Sequence, residues 1–207
     1  MTEVYLIRHS KPIDVNHEID RDNFQIQNEK KCLSIEGEKI AEEKFKNNEF
    51  NNIDILYSSN YVRAIQTAKY IAFKNNLDIN INSDLGEREI GINSWDELPE
   101  QFERKQLLDE NYKISGGESQ KEVRERMYNA LIRILDKNKN KRIAIVSHGT
   151  ALSYLISKWC DIKLEDDKFK YSYRDKVLLH NYFDYCETFK LTFDLDNNLI
   201  GIDHIEL

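Results

Sequence analysis

Chain breakers are scarce in this sequence: its 207 residues include two prolines and seven glycines. No stretch rich in proline, glycine or serine divides it, so no linker marks a boundary. The length fits one domain over residues 1–207. Cysteine is rarer still than glycine. Cys32, Cys160 and Cys186 are odd in number, far apart and free of any Cys-x-x-Cys pair. That argues against a disulfide framework or a zinc site and for a reducing compartment. No apolar run approaches the ~20 residues that span a bilayer, so no membrane partner is expected. There is no basic arm, and the formal net charge is −7, so nucleic acid is not an expected partner either. The first residues enter an apolar segment without the marks of a secretion signal, and a cytoplasmic location is the expectation.

What is present begins with two short apolar runs. Val4-Tyr5-Leu6-Ile7 leads straight into Arg8-His9, and Ile143-Ala144-Ile145-Val146 leads into Ser147-His148. Each reads as a buried strand that delivers a histidine at its C-terminal end. In an open α/β sheet, the crevice outside those ends is where ligands bind. Further strands are predicted over 53–57 and 79–81. A closing hairpin is predicted from 189–193 and 199–205, turning at Asp196-Asn197-Asn198. Helices are predicted from the Ser34 cap to about 46, over 60–74, over 150–159, and after the capping box Ser119-x-x-Glu122, where Val123, Met127, Ala130, Leu131, Ile134 and Leu135 share one face. Residues 10–33 read as an irregular excursion, 92–117 as a loop with one short helix near 98–107, and 161–180 stay ambiguous. Alternation of strand and helix points to an α/β fold with a mostly parallel sheet covered on both faces.

Four places carry chemistry. The neutral imidazole of His9 is a suitable nucleophile toward phosphorus at pH 7, and Arg8 beside it can grip phosphoryl oxygens through its planar fork. Ser58 to Ala68 marks a strand end and a helix start, where free N–H groups favour an anion; Arg63 lies in the first turn. Glu87, in a loop after the third strand, can protonate a leaving oxygen. His148, before Gly149-Thr150, can stabilise charge on a phosphoryl group. The remaining histidines, His17, His180 and His204, read as structural or solvated.

In order and spacing these motifs resemble the histidine phosphatase superfamily, the phosphoglycerate mutase-like group. Leu6-Ile7-Arg8-His9-Ser10 is similar to its Arg-His-Gly motif. Leu33-Ser34-Ile35-Glu36-Gly37 is similar to its Leu-Ser-x-x-Gly helix start. Ser58 to Ala68 matches Ser-Ser-Pro-x-x-Arg-Ala-x-Gln-Thr-Ala with Asn60 in place of proline. Leu85 to Gly91 resembles Leu-x-Glu-x-x-x-Gly, and Val146 to Gly149 the second histidine motif. The resemblance implies a three-layer α/β/α sandwich. It implies His9 as the phosphoacceptor, Arg8, Arg63 and His148 as the phosphate pocket, and Glu87 as proton donor and then base. It also implies no metal and no cofactor, because arginines supply the positive field.

Two departures matter. Ser10 stands where the family has glycine; its Cβ costs about 1 kcal/mol if the position needs positive φ, or its hydroxyl serves as an extra phosphate donor. The family's asparagine falls on Val15, with Asn16 next to it as the candidate phosphate contact. The expected activity is metal-independent hydrolysis of a small phosphorylated metabolite. Phosphoglycerate mutase-type transfer is the close alternative, and a non-catalytic phospho-ligand-binding member the third. A chain that stops soon after the hairpin favours hydrolysis. Residues 10–33, 92–117 and 161–180 are expected to rim the pocket; Trp95, Tyr112, Tyr171, Tyr173 and Arg174 are candidate substrate contacts, with core or surface packing the commoner reason for such aromatics. A homodimer is a further expectation.

Overall fold

A computed structural model describes residues 1–15, 22–165 and 168–207. Its main sheet has strands β1 (Thr2–Arg8), β2 (Ile55–Ser58), β3 (Ile79–Ile81), β4 (Arg142–Ser147), β8 (Thr188–Phe193) and β9 (Leu199–Ile205), in the order β3-β2-β4-β1-β8-β9. The first four run parallel; β8 is antiparallel to β1 and to β9. A second sheet holds β5 (Asp161–Glu165), β6 (Lys168–Tyr173) and β7 (Lys176–His180), all antiparallel. The helices among the described residues are α1 (Phe24–Lys30), α2 (Ile35–Lys44), α3 (Val62–Asn75), α4 (Phe102–Leu108), α5 (Gln120–Lys137) and α6 (Gly149–Ile156). None is long and apolar enough to cross a membrane.

The strands that read as continuous apolar runs are buried on both faces, as parallel strands covered by helices must be. Along β1, Val4 and Leu6 point into a core shared with α5 and α6, where Met127, Leu131 and Leu152 lie. Tyr5 and Ile7 point the other way, onto Ala41 and Phe45 from α2 and its end and Ala64, Ala68 and Ile71 from α3. The result is a three-layer α/β arrangement, as the alternation of elements predicted.

α5 carries the capping box: Ser119 Oγ accepts from Glu122 N, and the Glu122 carboxylate accepts from Ser119 N. Asn23, whose side chain accepts from Ile26 N, starts α1 inside the segment expected to be irregular. No residue of α1 is buried, so it lacks the apolar stripe that sequence reading depends on. The short helix expected near 98–107 is α4, shifted toward the C-terminus. The ambiguous stretch 161–180 is the three-stranded sheet, where Ile162 and Leu179 flank Tyr171 across neighbouring strands. Asn16 and His17, singled out above, lie outside the described residues.

Candidate active site

The sheet order sets the site. β2, β4 and β1 are neighbours, and their C-terminal ends release Ser59, His148 and His9 side by side. His9 N donates to Ser147 O (2.9 Å) and Ser59 N to Val146 O (3.0 Å), so each chain leaves the sheet still bonded to β4. The rings of His9 and His148 meet edge to face with centroids 5.0 Å apart. Their surroundings are polar and aromatic: Arg63 lies against both, and Tyr61 packs on His148 at 4.4 Å.

Hydrogen bonds assign the tautomers. His9 Nδ1 sits 2.6 Å from Ser10 O, an acceptor, so Nδ1 carries the proton and Nε2 keeps its lone pair. Arg63 Nε donates to that Nε2 at 3.0 Å. A terminal nitrogen of Arg63 lies 3.3 Å from His148 Nδ1, which places the His148 proton on Nε2, donated to Ser59 Oγ at 2.8 Å. Burial, reinforced for His9 by Arg63 and Arg8, pushes both imidazoles well below the usual histidine range. Both rings are therefore neutral at pH 7, the form in which His9 is a nucleophile. Burial also lowers Arg63 from the ordinary arginine value, against the stabilising charge of Glu87.

Each of these groups is held from behind. Arg63 donates to Asn28 O (2.6 Å), and its own N–H donates to Lys31 O (3.1 Å), so α1 and its end support the guanidinium, and none of the described residues of 10–33 lines the cleft. Arg8 donates to Phe183 O and packs over the Tyr185 ring at 4.6 Å; its buried Nε has no partner. Gly149 makes room for it: a Cβ there would lie 3.3 Å from that Nε. The Glu87 carboxylate accepts from Ala151 N (2.9 Å) and Thr150 N (3.3 Å), at the positive end of α6, which has no side-chain cap of its own. Arg126 of α5 clamps the loop that bears Glu87, donating to Asp84 O (2.8 Å) and Gly86 O (3.3 Å) while paired with Glu118 (2.8 Å).

Two expectations need correction. Ser10 has no positive φ, so its Cβ is not strained. Nor is its hydroxyl turned to a phosphate: Ser10 is fully buried, and Oγ spends its single proton on Gly37 O at 2.7 Å. The close packing that needs a glycine is at Gly37, where a Cβ would fall 2.0 Å from Lys11 O. His148, too, does not face the cleft directly, since Ser59 and Arg63 engage both its nitrogens. Ser59 and Arg126 were not singled out in the sequence. Ser59 falls within the Ser58 to Ala68 motif, but Arg126 is one cation among several on α5 and carries no local signal.

A cleft of about 370 Å³ opens beside this cluster; Arg8, Glu87, Gly149 and Thr150 line it, whereas His9, Arg63 and His148 do not. α4 supplies Glu103 and Leu107, and the small sheet supplies Ile162, Phe169 and Tyr171, as expected of the second and third variable segments. Trp95 instead packs on Phe24, and Tyr112 on Phe102. Tyr173 and Arg174 do not line the cleft.

Comparison with known proteins agrees with the fold. The family profile described as the histidine phosphatase superfamily (branch 1) matches residues 4–180. The chain belongs to that superfamily. Among relatives of this chain is the probable phosphoglycerate mutase GpmB of Salmonella choleraesuis, 32% identical over 164 residues, covering 76% of this chain and 74% of that protein. Bacillus stearothermophilus YhfR has the same fold, with a TM-score of 0.69 at 20% identity over 97% of this chain and 95% of that one. So does a mycobacterial glucosyl-3-phosphoglycerate phosphatase, with a TM-score of 0.69 at 15% identity over 99% and 98%.

Proposed function

We propose that this histidine phosphatase hydrolyses phosphomonoesters through a phosphohistidine on His9, with no metal ion required. The observation that carries the reading is one guanidinium, that of Arg63, reaching both imidazoles at 3.0 and 3.3 Å, with Arg8 and Glu87 at the mouth of the same cluster. A phosphoryl group entering there takes Arg63 away from His9 Nε2 and frees the lone pair. That nitrogen attacks phosphorus, the ester P–O bond breaks, and Glu87 gives its proton to the departing oxygen. Arg8 and Arg63 hold the equatorial oxygens, and His148 shares the charge by turning its Nε2–H from Ser59 Oγ to a phosphoryl oxygen. Water then attacks the phosphohistidine, its proton passes to the Glu87 carboxylate, and the N–P bond breaks to release inorganic phosphate.

The test is hydrolysis of p-nitrophenyl phosphate in EDTA by the wild-type chain and by His9→Ala, with a quench under alkaline conditions to trap labelled phosphate on protein. Turnover and a base-stable, acid-labile label, both lost in His9→Ala, are expected. Undiminished turnover in that variant would overturn the reading.

A second reading is transfer between positions of phosphoglycerate, favoured by the relative named as a probable phosphoglycerate mutase. Supplying 3-phosphoglycerate with a bisphosphoglycerate primer separates the two: 2-phosphoglycerate forms under the mutase reading, inorganic phosphate under the hydrolase reading.

A further inference from the structure

The proposed chemistry uses Arg8 and Glu87 of the cleft lining and leaves the rest of its walls unexplained. Those walls are built for contact with a ligand. Leu107 from α4, Ile162 from β5, Phe169 and Tyr171 from β6, and Tyr182 and Phe183 beyond β7 face it together. The rings are already packed on one another: Phe169 meets Tyr182 at 5.0 Å and Tyr171 meets Phe183 at 5.4 Å, both edge to face. Tyr171 shares its hydroxyl with Ser153 Oγ at 2.9 Å, so the wall presents the ring and not a searching polar atom. A cleft of about 370 Å³ lies within the ~300–1,000 Å³ range of small-molecule sites.

Charge on the walls is as informative as their apolarity. Arg8 is the lone cation among the described residues that line the cleft, and the proposed reaction already uses it. Glu87 and Glu103 are the two carboxylates there. The nearby guanidinium of Arg88 is committed to Glu103 (2.7 Å), Gln106 (2.5 Å) and the Tyr154 hydroxyl (3.2 Å). A leaving group with its own carboxylate or second phosphate would thus lose water without gaining a counter-ion, while two carboxylates faced it. An uncharged ring system would lose little and gain burial and edge-to-face contact.

We infer that the leaving group this site selects is an uncharged, apolar, ring-bearing alcohol, and that phosphate esters of small anionic acids are poor substrates. This rests on the phosphatase reading above. Phe169 and Leu107 are the residues that set the preference. The small β5-β6-β7 sheet is then a specificity wall, which explains why a strand pair dense in surface charge carries aromatic residues toward its inner face.

The test compares 2-naphthylmethyl phosphate with glycerol 3-phosphate and 3-phosphoglycerate. All three release alkoxides, so the comparison isn't decided by an activated phenol. A kcat/KM at least about tenfold higher for the naphthylmethyl ester is expected. Phe169→Ala should reduce that ratio, and Leu107→Lys should shift it toward 3-phosphoglycerate. Equal or reversed preference in the wild-type chain overturns the inference while leaving the phosphatase reading intact. If no ester is hydrolysed, the phosphatase reading fails separately. Calorimetry with 2-naphthylmethylphosphonate, which cannot turn over, still decides the matter: binding at least about tenfold tighter than that of inorganic phosphate supports the apolar subsite, and equal binding removes it.

Discussion

The Nε atom of Arg63 lies 3.0 Å from Nε2 of His9, on the electron pair that the proposed reaction uses. A cation so placed shields the nucleophile until an anion claims it. Arg63→Lys keeps the charge but loses the fork that spans both imidazoles. A fall in kcat/KM of ~10²–10³ is expected, with weaker inhibition by inorganic phosphate. Steady-state kinetics with and without phosphate check this; an unchanged kcat/KM rules out the bridging role.

Both buried imidazoles titrate well below the ordinary value of 6.5, first because of burial and then because of the arginines. Between that folded-state range and pH 6.5 the unfolded chain binds protons that the folded chain refuses. Stability therefore rises with pH through the acid range, and the contribution of these two rings levels off above about 6.5. Each ring contributes a slope of up to about 1.4 kcal/mol per pH unit. Urea unfolding from pH 5 to 8 measures the curve. His9→Gln should flatten its acid side, and a slope identical to that of the wild-type chain would show that His9 does not remain neutral.

Glu87 is placed to serve the leaving group, so its loss must depend on what leaves. Glu87→Gln is expected to reduce kcat/KM for alkyl phosphates by ~10²–10⁴ and to spare kcat/KM for p-nitrophenyl phosphate, whose phenolate departs without a proton, while kcat falls for both because water attack uses the same carboxylate. The readout is a plot of rate against leaving-group pKa, steeper in the variant. Parallel plots would assign Glu87 only to the end of α6, where it accepts from Ala151 N and Thr150 N.

Arg126 touches no reacting atom in this arrangement and acts by fixing the loop that bears Glu87. Arg126→Ala removes charged hydrogen bonds to the backbone carbonyls of Asp84, Gly86 and Glu87 and leaves Glu118 without its cation, at roughly 1–3 kcal/mol of stability. As a positioning residue it should lower kcat/KM for alkyl esters more than for p-nitrophenyl phosphate, a pattern that a purely structural role would not give. Thermal unfolding and the two substrates together make the distinction.

Local sequence carried the parts of this molecule that local physics decides. Val4 to Ile7 and Ile143 to Val146 are apolar without alternation because helices cover both faces, and Ser119 and Glu122 announce the start of α5 by their spacing. α1 was hidden because it buries nothing. The small sheet was hidden because its charged residues, such as Lys163 and Lys170, interrupt an apolar pattern that serves only one face. Motif order brought His9, Arg63 and His148 into one site, yet it could not show that Ser10 faces Gly37, since that contact joins residues 27 positions apart.

Gly37 reaches the reaction without touching it. Its bare α-carbon lets Lys11 O come close enough to accept from Ser34 N at 3.0 Å, which pins the chain just past His9. A methyl group there would displace that stretch and swing the Ser10 carbonyl off the imidazole. The ring would then be free to carry its hydrogen on the far nitrogen, where it would meet phosphorus with a donor in place of an electron pair. A missing carbon on a neighbouring helix thus chooses which edge of an aromatic ring is armed.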